Sequence, residues 1–259
     1  MSDFQRSILI PLYTLTHQEV KRFMRVPLQV LASPWISALL YIFIFGFVIG
    51  SQIEEVQGIP YLDFILPGLM LMQLMTAAFM EGSSGLYFKR FIKTIEEVLV
   101  APIPNWMVIV SFLIAGIIRG LIVALGILAV AFVFSSTPLH NVPLLLGWAS
   151  AVAIIFTLAG MVVGLWAKTF EQLNVFNVFL IMPLTYLGGV FYSIAMLPEG
   201  VRWIVQLNPF FYFIDGIRYA MTGISESNLL FGALFISALV AALFALVWWL
   251  FRIGYGIRE

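Results

Sequence analysis

A chain of 259 residues that is 62% hydrophobic and only 10% charged carries too much apolar surface for a water-soluble fold, where about 25% of residues are charged, and reads as a polytopic membrane protein. Its formal net charge is zero, so no strong basic field would attract nucleic acid. It has no cysteine, which excludes disulfides, thiol catalysis and cysteine metal sites.

The opening residues do not read as a cleavable signal peptide, because Asp3 and Arg6 come early and no short apolar core leads to a small-residue cleavage site. Asp3 to Arg25 form an amphipathic helix instead. Leu9, Leu12, Tyr13, Leu15, Val20, Phe23 and Met24 fall in one half of the helical wheel, and Thr14, Gln18, Lys21, Arg22 and Arg25 in the other. Thr16 and Glu19 break the division. Such a helix lies in the membrane interface, with Pro11 as a kink or as its true start; a partner-docking surface is compatible with the same pattern.

Spans of roughly 20 apolar residues follow. The first runs from about Leu28 to Ser51, with Glu54, Glu55, Gln57 and Gly58 in its outer turn. The second runs from about Tyr61 to Leu86, with Pro67 and Gly68 near its start and Glu81 near its end. The third, from about Trp106 to Phe134, contains Arg119, and the fourth runs from about Leu144 to Ala167. A tight polar turn, Lys168 to Gln172, leads to a fifth span from about Leu173 to Val190 that holds Pro183. The last runs from about Leu229 to Phe251 and ends in a short basic tail. The fold class is all-α, with six spans.

Between the second and third spans lies the longest charged island, Tyr87 to Pro104. Lys89, Arg90 and Lys93 are followed at once by Glu96 and Glu97, while Phe88, Phe91, Ile92, Ile95, Val98 and Leu99 recur at helical spacing. The island reads as a short amphipathic helix stopped by Pro102 and Pro104. It either docks into another protein or only joins two spans.

Phe191 to Ser227 does not fit a span. Pro198 can open one short helix with Glu199 in its first turn. Asn208 and Pro209 can cap and open a second, which Gly223 would stop. Each is too short to cross, so both read as an external re-entrant pair. Glu199 with Arg202 and Asp215 with Arg218 sit at i,i+3 and are candidate ion pairs.

Lysine and arginine set the orientation. Arg6, Lys21, Arg22, Arg25, Lys89, Arg90, Lys93, Lys168, Arg252 and Arg258 fall on one side, and only Arg202 and Arg218 on the other. The first side is therefore expected to be cytosolic, together with both termini. No linker splits the chain. It is expected to form one membrane domain over 1–259: an interfacial helix (1–27), spans one to five (28–190), the external pair (191–228) and the last span (229–251).

Enzyme chemistry finds little to use. No phosphate-cradling Gly-x-x-x-x-Gly-Lys-Ser/Thr loop is present. His17 and His140 fall on opposite sides of the membrane, so no metal site is expected, and no cofactor. Gly82 to Gly85 (GSSG) lacks a nearby histidine, and close packing by small residues explains it better than a nucleophile turn. Arg119 lies about 13 residues into its span, about 20 Å along the helix, and must face the bundle, a water path or a partner. Glu81 is its candidate counter-charge, in a structural ion pair or in a transport path.

Four stretches, Phe64–Met70 (FILPGLM), Ile95–Pro104 (IEEVLVAPIP), Pro183–Tyr192 (PLTYLGGVFY) and Leu207–Tyr219 (LNPFFYFIDGIRY), together with the span order, make the chain resemble the ABC-2 permeases. These are the membrane subunits of type V ABC exporters, and the likeness is to the YadH-type permeases of the bacterial inner membrane. The resemblance implies a permease that pairs with a second copy of itself and with a separate ABC ATPase subunit, surrounded by membrane lipids. It implies that the Tyr87–Pro104 helix is a coupling helix in a cleft of the ATPase, with Glu96 and Glu97 as polar contacts. Phe88, Phe91, Ile95 and Leu99 would be apolar anchors, and Lys168 and Glu171 a smaller second contact. The two glutamates would otherwise only keep the loop soluble. Cargo in such a family is a drug, lipid or glycan, and the scarcity of charge in the spans favours an amphipathic or apolar one. Tyr192, Asn208, Pro209, Phe210, Asp215 and Arg218, with Tyr186, Phe211 and Tyr212 nearby, are candidates for an outer gate. An aromatic belt at the interface is the simpler explanation for most of the rings. The rival readings are an ion-coupled secondary transporter, which would show inverted repeats and mid-membrane ion ligands, and a lipid-modifying enzyme, which would need converging acids or metal ligands.

Overall fold

A computed structural model describes residues 3–53, 55–101, 103–135 and 139–257. Glu54, Pro102 and Arg258 fall outside that range, and the side chains of 3–8, Val98 and Leu99 are likewise outside it. The described residues form helices, with one ribbon of two short strands. Helix α1 is Asp3–Met24. Leu28–Ile49 is one continuous helical rod, α2 (Ser33–Tyr41) flanked by π-helical turns. A hairpin follows, β1 (Glu55–Val56) against β2 (Ile59–Pro60), with Val56 opposite Ile59. Gln57 and Gly58 at its tip both have positive φ, +56° and +79°, as the tightest hairpin turn demands.

Helix α3 (Tyr61–Phe91, 31 residues) organises the rest. Then come α4 (Thr94–Val100), α5 (Asn105–Phe134) and α6 (Val142–Trp166). A second interrupted rod is α7 (Phe170–Phe176), a π turn, and α8 (Met182–Leu187). Two short helices, α9 (Glu199–Leu207) and α10 (Pro209–Thr222), precede α11 (Leu229–Ile253). Side-chain amides start three of these: Asn141, Asn208 and Asn228 each accept a backbone N–H from the first turn of α6, α10 and α11. Glycines with positive φ, Gly223 and Gly254, end α10 and α11.

Among the described residues, five helical segments are long and apolar enough to cross a membrane: Leu28–Ile49, α3, α5, α6 and α11. The segment holding the expected fifth span is helical from Phe170 to Leu187, but it is shorter and begins with the polar Glu171, Gln172 and Asn174. Burial separates the five sharply. In α3, 78% of the most apolar stretch is buried, against 11% in Leu28–Ile49 and 17% in α11. Helix α3 is thus the axis, and the others wrap it with one face left for lipid or a partner.

Small residues make that axis possible. A Cβ on Gly82 would stand 2.1 Å from the Thr157 carbonyl oxygen of α6, and one on Gly160 2.3 Å from the Phe79 carbonyl oxygen of α3. The two backbones touch, which only glycine permits. The Gly82–Gly85 turn of sequence is therefore a packing surface inside α3.

Candidate functional site

The charges that the apolar bundle takes in are joined. Glu81 of α3 is fully buried, and its two oxygens receive Arg22 of α1 at 2.5 Å and Arg119 of α5 at 3.1 Å. Arg22 also holds Glu19, 3.1 Å away, and Glu19 in turn meets Lys89 as an ion pair at 2.5 Å. The rings of Phe23 and Phe112 lie 5.9 Å from the Arg119 guanidinium and 5.3 Å from the Lys89 ammonium. Three helices are thus cross-linked by alternating charge, which is how buried ions become tolerable. The Glu81–Arg119 pair was legible in the sequence; Glu19, Arg22 and Lys89 were missed as its partners. Glu19 did carry a signal, since it breaks the apolar face of α1 and a carboxylate there needs a cation.

The charged island is not one helix. The span helix α3 continues to Phe91, so Tyr87 to Phe91 are its last turn. The chain then bends at Lys93, whose left-handed backbone (φ +60°) ends α3, and restarts as the seven-residue α4. The apolar run favours helix throughout, yet the helix breaks just after Arg90, which is tied down. Its guanidinium donates to the Gly164 carbonyl at 2.7 Å and to that of Ala167 at 3.2 Å, at the C-terminal end of α6.

This geometry sorts the expected contact residues. Phe91 is 71% exposed, and Phe88, Ile92 and Phe170 are exposed beside it. Glu96, Glu97, Lys168 and Glu171 are exposed as well. Ile95 departs from expectation. It is only 2% exposed and packs with Leu15, Leu86, Val108 and Ile257, so it is a core residue beneath α4 and not a surface anchor. Leu99 belongs to α4, but its side chain lies outside the described residues. A cleft of about 240 Å³ between Tyr87, Phe91, Glu96, Lys168 and Gly256 brings the two expected contact loops together.

At the opposite end of α3 the polar groups are consumed within the chain. Asp215 is fully buried and accepts the Ser225 hydroxyl (2.8 Å), the Ser227 hydroxyl (2.5 Å) and the backbone N–H groups of Glu226 (2.8 Å) and Ser227 (3.0 Å). Arg218, also fully buried, does not pair with Asp215. Its partner is Glu226 at 3.3 Å, and it donates to the Gly189 carbonyl at 2.6 Å while stacking 3.9 Å over the Phe64 ring. Glu226 further receives Gln57 at 2.6 Å and the Ile194 N–H at 3.1 Å, and contacts Ser193. The expected pair of Glu199 with Arg202 is also replaced: Arg202 donates to the carbonyls of Leu197 and Ala195. In both cases a loop carbonyl or carboxylate lies closer than the residue one turn away. Glu226, unremarked in the sequence, is the hub.

The other candidate gate residues are structural as placed. Asn208 caps α10 and donates its amide to the Leu184 carbonyl at 2.6 Å. Pro209 is the first residue of α10, and Phe210 is buried against Phe156 and Phe213. Tyr192 donates to the Leu187 carbonyl at 2.7 Å, and burial pushes its phenol above the ordinary pKa. Among the described residues, no three histidine, aspartate or glutamate side chains cluster as metal ligands would.

Known proteins agree with a membrane carrier. The chain is 37% identical to the inner membrane transport permease YadH of Escherichia coli (strain K12) over 252 residues, covering 96% of this chain and 98% of that one. It is 24% identical over 186 residues to nodulation protein J of Rhizobium meliloti (strain 1021), covering 71% of each. It is 25% identical over 193 residues to nodulation protein J of Rhizobium leguminosarum bv. viciae, covering 73% of this chain and 74% of that one. Residues 11–222 match the family described as ABC-2 type transporter. With apolar helices arranged around a buried α3 and a match over most of its length, the chain belongs to the ABC-2 type transporter family as a transmembrane transport permease.

Proposed function

We propose that the chain is the membrane subunit of an ATP-driven exporter, a single membrane domain that moves an amphipathic or apolar cargo across a bacterial inner membrane. A separate ABC ATPase supplies the force, and a second copy of the chain completes the path. The Phe170–Leu187 rod serves as a sixth crossing, with α9 and α10 as external re-entrant helices. The Phe91 end of α3 and both termini then face the cytosol, in accord with the lysine and arginine bias.

One observation carries the reading: the last turn of the most buried helix emerges as an exposed aromatic and charged face. Phe91, Glu96 and Lys168 line one cleft there, and Phe88, Phe170, Glu97 and Glu171 are exposed as well. Force applied to that face enters α3 directly. It spreads to α1 and α5 through Glu81, Arg22 and Arg119, because a chain of ion pairs resists being stretched. Ile95 acts from beneath, seating α4 on the bundle. Nucleotide-driven closure of the ATPases would turn the rigid bundle and alternate its access between the two sides.

Co-purification with an ATP-binding subunit tests this. Glu96→Lys with Glu97→Lys reverses two exposed charges, so the affinity for that subunit should fall about tenfold or more while membrane insertion and melting are unchanged. Association and transport at wild-type level in the double variant would exclude this face as the contact. Vectorial transport by the chain alone would remove the ATPase altogether.

A further inference from the structure

A cavity of about 710 Å³ opens between Leu28–Ile49, α3, α1 and the start of α7. Its walls are patterned. Gln29, Ser33 and Ser37 recur every fourth residue and so form one stripe on the first rod. Gln73, Thr76 and Ser84 form a facing stripe on α3. Phe23, Pro34, Met80 and Phe170 fill the space between with apolar surface. Among the described residues, the ionisable ones that line the cavity are Arg22, Arg25 and Arg119.

The charge there is unbalanced. Arg22, Arg119 and Lys89 share two carboxylates, Glu19 and Glu81, and Arg25 adds a fourth cation; the surplus is two positive charges. The side chains of Arg25, Gln29, Ser33, Ser37 and Gln73 take no hydrogen bond or ion pair among the described residues. Arg25, Gln29 and Ser33 are exposed and Ser37 and Gln73 half-buried, so their donors and acceptors stand open to whatever enters the cavity. A bare acyl chain or an apolar helix face would leave them all unpaired. Water alone would leave the apolar wall wet.

We propose that this cavity binds an amphipathic anion. Its acidic head, a carboxylate, sulfonate or phosphate, sits against Arg25 and Arg22, and its body runs between the two polar stripes along the apolar wall. The assignment of this ligand as cargo rests on the permease reading; the site itself does not.

The test uses the purified full chain in phosphatidylcholine nanodiscs, with dansyl-labelled undecanoic acid and its methyl ester as probes. The acid should bind about tenfold more tightly than the ester, the difference expected of a charge-assisted hydrogen bond. Arg25→Gln, at an exposed position outside the ion-pair chain, should remove most of that difference and leave the ester unchanged. Ser37→Phe should fill the cavity and weaken both probes. Inorganic phosphate at the same concentration should displace neither. Equal binding of acid and ester, acid binding untouched by both variants, displacement by phosphate, or no binding because a second copy covers the cavity would each overturn the proposal. The permease reading fails separately. Arg25-dependent acid binding by a chain that never joins an ATP-hydrolysing subunit would keep the site and lose that reading. ATP-driven export of the ester but not the acid would do the reverse.

Discussion

The two ends of α3 use polar residues in opposite ways. At the Tyr61 end the carboxylates are saturated from within: Asp215 and Glu226 gather three hydroxyls, an amide side chain, a guanidinium and several backbone N–H groups from four segments. At the Phe91 end Arg90, Lys89 and Glu19 hold the helices, while Phe91, Glu96, Glu97 and Lys168 are left outward. A saturated cluster has nothing left to offer a partner and rigidifies its loops. An exposed aromatic and charged face beside a rigid helix is what a docking protein can grip. The difference fits shape-keeping at one end and the proposed contact at the other.

The comparison is most severely tested where charge is buried. Glu81→Ala leaves Arg22 and Arg119 without their shared carboxylate, and should cost about 3–5 kcal/mol, read as a large drop in the melting midpoint in detergent. Pairing Glu81→Leu with Arg119→Met should recover much of it, since Arg22 keeps Glu19. Asp215→Ala comes next. It strands two serines and two backbone N–H groups, at a cost of about 3 kcal/mol, and hydrogen exchange should rise at 224–228 while the Phe91 end stays protected. If exchange rises equally at both ends, they are not separate devices. Phe91→Ser should leave melting within about 0.5 kcal/mol, as surface changes do, yet weaken ATPase association; a melting loss without an association loss would place Phe91 in the fold and not in the contact. The smallest effect is at the bend. Lys93→Gly relieves a left-handed backbone and should stabilise by about 0.5–1 kcal/mol.

Long apolar runs announced the five helical segments that are, among the described residues, long and apolar enough to cross a membrane, and the asparagine and glycine caps of α10 act as their chemistry requires. Those features are local: a residue's transfer into lipid and its own backbone preferences decide them. The island at Tyr87–Pro104 was harder. Its helical spacing was visible, but a period shows only that one face differs from the other. It does not say that Ile95 turns inward while Phe91 turns outward, nor that the helix breaks at Lys93 while Arg90 reaches the end of α6.

Ion pairing followed the same rule. Neighbours at i,i+3 were the natural partners for Arg218 and Arg202, and both were outbid by groups distant in sequence, Glu226 for one and loop carbonyls for the other. The sequence by itself settled that this chain lives in lipid, which stretches are helical and where several of them begin and end. Only the tertiary structure decided which charges meet, because that depends on how closely α3 and α6 approach through Gly82 and Gly160 and on which faces then turn toward α1 and α5. A buried charge takes the nearest opposite charge in space, and distance in space is set by packing across the whole bundle.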